Sequence, residues 1–141
     1  MEDRLKELSK IKVSKFMIKE PLFTLPNEKI STTELLMVRK NIGGIPVVEN
    51  RKKKQLIGII TQRDIRLARF AMNLNSPNTT VKDLMTVEPF AVKKDDTLMK
   101  VLEIMFENKI QRLPVVKEGN ELIGLILRNE ILKKVLEYMK K

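Results

Sequence analysis

The chain has 141 residues, with 28 Lys and Arg against 18 Asp and Glu and a formal net charge of +10. It contains no Cys and no His, which excludes thiol nucleophiles, disulfides, Cys/His zinc sites, Ser-His-Asp triads and imidazole acid–base chemistry. With 43% apolar and 33% charged residues it reads as a globular chain; no apolar run approaches the roughly 20 residues that cross a bilayer, and Met1-Glu2-Asp3-Arg4 lacks the apolar centre of a signal peptide, so no membrane partner and a cytoplasmic location are expected.

In chain order, residues 1–12 predict a short amphipathic helix with Leu5, Leu8 and Ile11 on one side. A lead-in segment carrying Val13 and Met17 follows, and the chain is extended after Pro21. A helix comes next, keeping Ile30, Leu36 and Met37 on one stripe that Thr33 and Glu34 interrupt. Ile45–Glu49 and Leu56–Thr61 are apolar, branched runs joined by the wholly polar Asn50–Lys54, and read as a hairpin. A helix over about Arg63–Met72 and a linker over Asn73–Thr80 close this half. The second half repeats the order. A short extended piece follows Pro89. The helix bearing Leu98, Val101, Leu102, Met105 and Phe106 opens at Asp95-Asp96-Thr97. The hairpin runs from Leu113–Val116 to Leu122–Leu127, and the last helix, Asn129–Met139, sets Ile131, Leu132, Val135, Leu136 and Met139 opposite Lys133, Lys134, Glu137 and Lys140. The strands are nearly all apolar, so cover on both faces is expected.

The two halves are an internal repeat. At a constant shift of 68, Val13, Met17, Glu20, Pro21, Met37, Ile42 and Pro46-Val47-Val48 fall on Val81, Met85, Glu88, Pro89, Met105, Ile110 and Pro114-Val115-Val116. The shift becomes 66 beyond the hairpin turn, where Leu56-Ile57-Gly58 falls on Leu122-Ile123-Gly124 and Ile65 on Ile131. The organisation is therefore an N-terminal helix over 1–12, repeat 1 over 13–72, a linker over 73–80 and repeat 2 over 81–141. The fold class is α/β of the α+β kind, each repeat reading β-α-β-β-α. One repeat alone is marginal in size, so the two are expected to bury their sheet faces against each other with pseudo-twofold symmetry.

Some residues carry two readings on local grounds. Thr61-x-x-Asp64 is a capping box at a helix start, and it is also a hydroxyl and carboxylate pair able to hold a polar ligand. The methionines at 17, 37, 85 and 105 read as core fillers. The Arg51-Lys52-Lys53-Lys54 run is either a solvated turn or an attraction for phosphate, including nucleic acid. Aromatic residues are 4% of the chain, poor material for stacking single strands, and no helix-turn-helix or zinc-finger pattern supports a nucleic-acid binder. No nucleophile–base pair, metal cluster or Walker loop is visible, so no enzyme and no metal site is expected.

A Val-x-x-x-Met-x-x-x-Pro lead-in, a helix ending near an Ile followed by Pro-Val-Val, and an apolar–Gly–apolar strand running into Thr-x-x-Asp, in tandem over residues 11–139, resemble the CBS domain pair, or Bateman module. The resemblance implies a non-catalytic regulatory module binding an adenine nucleotide (AMP, ADP or ATP) in the cleft between the repeats, with no other cofactor required, and signalling to a regulated protein. S-adenosylmethionine and NAD are alternative ligands on such a scaffold. It further implies that Thr61 and Asp64, with Gly58, Ile59 and Arg63 around them, hold the ribose and neighbouring phosphate. Pro89, Phe90 and Ala91 contact adenine, and Gln111 and Arg112, beside Pro114, serve phosphate. In the second copy Leu127 and Glu130 replace the Thr and Asp, and Gly43 and Gly44 stand where the first site has Gln111 and Arg112. With Phe23 they form a second, degenerate site. One competent and one weak, altered or empty site are expected. The family commonly pairs through its helices, and a homodimer using the apolar stripes of the post-hairpin helices is expected.

Overall fold

The computed structural model describes residues 2–72 and 77–141. Asn73–Ser76 of the expected linker lie outside the described residues. Within them the chain is mixed α and β: α1 (Glu2–Ser9), β1 (Ile18–Lys19), α2 (Ile30–Lys40), β2 (Gly44–Val48), β3 (Leu56–Thr61), α3 (Gln62–Met72), α4 (Val81–Leu84), β4 (Thr86–Val87), α5 (Leu98–Asn108), β5 (Arg112–Lys117), β6 (Glu121–Leu127) and α6 (Arg128–Met139). Two compact units result, one Leu22–Pro89 and the other Met1–Pro21 with Phe90–Lys141.

In the unit Leu22–Pro89 the sheet order is β2-β3-β4, all antiparallel. The hairpin β2–β3 pairs Gly44 with Thr61 and Val47 with Gly58, with a register shift at Val47/Val48. Asn50 shapes its turn by accepting from the backbone N–H groups of Lys52 and Lys53, the Asx-type bond that lets Asn open turns. Thr24 lies parallel to Val47 at the sheet edge. The core is Ile30, Met37, Ile45, Val47, Ile60, Ile65 and Val81, each branched or long apolar side chain there contributing about 1.5–3 kcal/mol by its removal from water. All of β2 is buried, while β3 alternates buried and half-buried positions.

The unit of Met1–Pro21 with Phe90–Lys141 has the order β1-β6-β5. The hairpin β5–β6 pairs Arg112 with Leu127 and turns through Glu118–Asn120, where Gly119 takes φ 75°. Val92 lies parallel to Val115. Val13, Phe16, Leu98, Val101, Met105, Leu113 and Ile126 are in its core, with Leu8 and Ile11 packed against it. Leu5 of the same α1 stripe is exposed.

The third strand of each sheet does not come from the repeat that supplies the hairpin. β4, in the lead-in of repeat 2, pairs with β3 of repeat 1, and β1, in the lead-in of repeat 1, pairs with β6 of repeat 2. The expected β-α-β-β-α order holds along the sequence, but each lead-in strand completes the other repeat's sheet. At both crossings the residue before proline, Glu20 or Glu88, takes φ 48°, a left-handed conformation that costs a non-glycine residue about 1 kcal/mol.

Candidate ligand-binding site

The junction of β3 and α3 brings a hydroxyl and a carboxylate together. Thr61 ends β3 and Asp64 stands in the first turn of α3, both half-buried. The Asp64 N–H donates to Thr61 Oγ1 at 3.1 Å and the Thr61 N–H donates to Asp64 Oδ2 at 3.0 Å. This reciprocal pair satisfies two helix N-terminal donors. The Thr61 hydroxyl still has its own proton to donate, and Asp64 Oδ1 has no hydrogen-bond partner among the described residues. The same Thr-x-x-Asp pattern opens α4, but there the Thr80 hydroxyl lies 3.2 Å from Asp83 Oδ2 and spends its proton on it. Capping is thus common to both turns, and an unspent hydroxyl proton distinguishes Thr61.

The wall beside this turn is the segment before β2. The Gln62 N–H donates to the Gly43 carbonyl at 2.8 Å, and the Gln62 side-chain amide reaches the Ile42 carbonyl at 3.4 Å. Gly44 pairs with Thr61. Gln62 was not among the residues singled out by pattern; its function as a strap is visible only once both segments are adjacent. Arg63 is exposed, Ile59 is half-buried in β3, and Pro89 is half-buried at the end of the unit.

Gly58 has a packing role inside the fold. The space its missing side chain leaves faces the protein's own chain, because a Cβ there would lie 2.7 Å from Met85 Sδ and 2.8 Å from the Thr86 carbonyl. Gly124 relates to Met17 in the same way, at 2.6 Å. Both glycines are seats for the lead-in strands. The signal was present in the repeat, since Met17/Met85 and Gly58/Gly124 recur together.

In the second unit the corresponding turn is different. Leu127 precedes α6 and makes no side-chain cap, and Glu130 turns toward Lys133 at 3.7 Å. Arg112 stands half-buried at the start of β5, with its Nε atom buried, and pairs with Leu127. The Arg128 N–H donates to the carbonyl of Gln111, itself exposed. Phe90 is 54% exposed, Ala91 is half-buried, and the following Val92 N–H donates to the carbonyl of the buried Pro114 at 3.0 Å. The residues expected at the competent site are therefore divided: Gly58, Ile59, Thr61, Arg63, Asp64 and Pro89 in one unit, and Phe90, Ala91, Gln111, Arg112 and Pro114 in the other. Of the degenerate set, Phe23, Gly43 and Gly44 share the first unit, and Leu127 and Glu130 the second.

Phe23 and the basic run meet locally. Arg51 and Lys54 lie 5.9 and 5.6 Å from the centre of the half-buried Phe23 ring, within cation–π range, and Arg51 also approaches Glu28 at 3.9 Å. Two of the four cations of that run thus have an intramolecular use. Among the described residues no group of His, Cys, Asp and Glu could hold a metal ion, and no helix is long and apolar enough to cross a membrane.

The profile of the CBS domain matches residues 13–70 and 81–137. The chain belongs to the CBS domain family. Inosine-5'-monophosphate dehydrogenase of Staphylococcus saprophyticus is 36% identical over 140 residues, which is 98% of this chain and 27% of that enzyme; the chain spans about a quarter of the length of such relatives. Among solved structures, CBSX2 in complex with AMP is 27% identical with a TM-score of 0.81, covering 92% of this chain and 98% of that one. The CBS domain pair of MJ0100, in complex with 5'-methylthioadenosine and S-adenosyl-L-methionine, is 26% identical with a TM-score of 0.79, covering 93% of this chain and 98% of that one. The tandem CBS architecture is shared with both.

Proposed function

We propose that this CBS pair is a non-catalytic regulatory module that binds an adenine nucleotide and relays its occupancy to a protein partner. The observation that carries the reading is the Thr61–Asp64 turn, which keeps one hydroxyl proton and one carboxylate oxygen to offer while its backbone is already fixed by the reciprocal cap. A ribose diol needs that combination of donor and charged acceptor, and hydrogen bonds to a charged group contribute about 1.5–3 kcal/mol. Pro89, Phe90 and Ala91 would meet the adenine and Gln111 with Arg112 the phosphate, the guanidinium fork suiting phosphate oxygens. Leu127 offers no hydrogen bond and Glu130 is turned to Lys133, which supports one competent and one degenerate site. The AMP seen in CBSX2 supports a phosphorylated ligand, and MJ0100 supports S-adenosylmethionine as the second reading. A cytoplasmic homodimer completes the proposal.

Calorimetry with AMP, ADP, ATP, S-adenosylmethionine and NAD tests the ligand. Asp64→Ala is expected to weaken AMP binding about tenfold or more, and Glu130→Ala to change it little. Asp64→Asn keeps an acceptor for the cap and loses the charge, so its loss of affinity without loss of thermal stability separates binding from folding. Equal losses at Asp64 and Glu130 would refute the single competent site.

A further inference from the structure

One end of the unit Leu22–Pro89 gathers six cations. Arg51, Lys52, Lys53 and Lys54 form the tip of the β2–β3 hairpin. The loop 26–29 brings Lys29 and Lys82 to the same end. Arg51 reaches Glu28 of this loop at 3.9 Å, and α4 is tied to it by the Val81 N–H on the Glu28 carbonyl and the Lys82 N–H on the Pro26 carbonyl, both at 2.9 Å. Lys54 is half-buried and the other five cations are exposed. Among the described residues only Arg51 of the six has an acidic partner. The other acids of this end are Asp83, spent on the Thr80 cap, and Glu49.

The tip is held in one shape. Asn50 Oδ1 accepts from the N–H groups of Lys52 and Lys53, and the Lys54 N–H donates to the Asn50 carbonyl at 3.0 Å. Arg51 and Lys54 are braced over the Phe23 ring. Lys54 takes φ 52°, a left-handed conformation that glycine or asparagine fills at lower cost. The second hairpin fills it that way, with Gly119 at φ 75° and Asn120 at φ 62°. At the repeat shift Phe23, Lys29 and Lys82 fall on Ala91, Thr97 and Ser14. In the second unit Lys12, Lys100 and Lys117 are paired with Asp95, Asp96 and Glu121. The first unit thus keeps unneutralised charge, at a backbone cost, where its copy has turn formers and ion pairs.

We infer that this basic end binds the phosphate backbone of a nucleic acid without regard to base sequence. The inference goes beyond the nucleotide reading above and does not depend on it. A row of lysines facing a row of phosphates releases the counterions condensed on the polymer, and that release drives binding. The braced turn loses little freedom when it binds. The Phe23 ring is covered by its own two cations, so it positions charge instead of stacking a base, which fits backbone recognition over base reading. A membrane surface would call for an apolar side chain set to insert beside the charges, and the tip 51–54 has none.

Fluorescence anisotropy of the full chain with labelled oligothymidylate, oligouridylate and a mixed-sequence duplex, over a series of salt concentrations, tests the inference. The arm that binds identifies the polymer. Affinity is expected to fall linearly with salt on logarithmic axes, with a slope of about 3–4 for a footprint of roughly four phosphates. Lys52→Gln with Lys53→Gln is expected to weaken binding about tenfold or more and to lower that slope by about 2, with the thermal midpoint unchanged. Lys93→Gln with Lys94→Gln, on the corresponding loop of the second unit, is expected to change binding little. Lys54→Gly separates the two uses of that residue: it is expected to raise the thermal midpoint and to lower affinity at the same time. No binding to any of the three polymers at low salt would overturn the inference, as would binding only to vesicles of phosphatidylserine. Equal losses in the two double variants, or none in the tip variant, would also overturn it by placing the contact elsewhere.

Discussion

Two threonine hydroxyls are buried in the first unit, and among the described residues of the second no buried hydroxyl pair corresponds to them. Thr24 and Thr33 are 5% and 1% exposed, and their Oγ1 atoms lie 2.9 Å apart. Their counterparts at the repeat shift are Val92 and Val101, both buried in the apolar core. A hydroxyl left alone in such a place costs about 1–3 kcal/mol, whereas replacing both partners by apolar groups of the same shape is close to neutral. Thr33→Val is therefore expected to destabilise by about 1–2 kcal/mol, and Thr24→Val with Thr33→Val to recover most of that loss, read as urea midpoints at unchanged slope. A double variant as unstable as the sum of the singles would show that the hydroxyls serve some partner other than each other. The pair also explains why the α2 stripe is broken at Thr33: its partner lies nine residues away on another segment, and helical periodicity carries no record of such a contact. The Thr61–Asp64 turn, by contrast, was legible, because both ends of its hydrogen bonds lie within one four-residue motif.

At the scale of elements the repeats share helix-end geometry but fill it, and the helix seams, with different residues. α2 and α5 both terminate in a left-handed residue, Asn41 at φ 53° and Lys109 at φ 54°. Asparagine tolerates that conformation and lysine does so poorly, while glycine adopts it without penalty. Lys109→Gly is expected to stabilise the chain by about 0.5–1 kcal/mol, with a smaller gain for Asn41→Gly, measured by thermal unfolding. No gain at Lys109 would mean that the lysine side chain offsets its backbone cost by a contact of its own. The seams differ as well. Arg69 holds Glu34 with two hydrogen bonds between α3 and α2, and the equivalent positions in the second unit are Val135 and Leu102, packed against the core. A half-exposed ion pair contributes about 0–1 kcal/mol, so the interruption of the α2 stripe at Glu34 is stabilised by geometry rather than by burial. Again the cause lies on a neighbouring helix, out of reach of a reading along α2 alone.

For the whole molecule, the repeat was plain in the sequence and the exchange of lead-in strands was not. A constant shift establishes that β1 and β4 are equivalent; it says nothing about which hairpin each joins, because either assignment gives the same pattern of apolar positions. What decides the matter is steric: Gly58 is seated against Met85 and Thr86, and Gly124 against Met17. The consequence is that the sequence repeat and the packing unit have different boundaries, and fragments can separate them. Residues 22–89 contain β2, β3, β4 and the core residue Val81. Residues 13–80, a fragment of the same length, include the Val13 and Phe16 that belong to the other core and omit β4 and Val81. Both are near the lower size at which one core suffices, so a two-stranded sheet missing a core side chain has little margin. The fragment 22–89 is expected to give a cooperative urea transition with native-like far-ultraviolet dichroism, and 13–80 a shallow or absent one. A more cooperative transition in 13–80 would mean that the lead-in strand of repeat 1 can fold back onto its own hairpin, and that the exchange is a property of the joined pair rather than of each unit's packing.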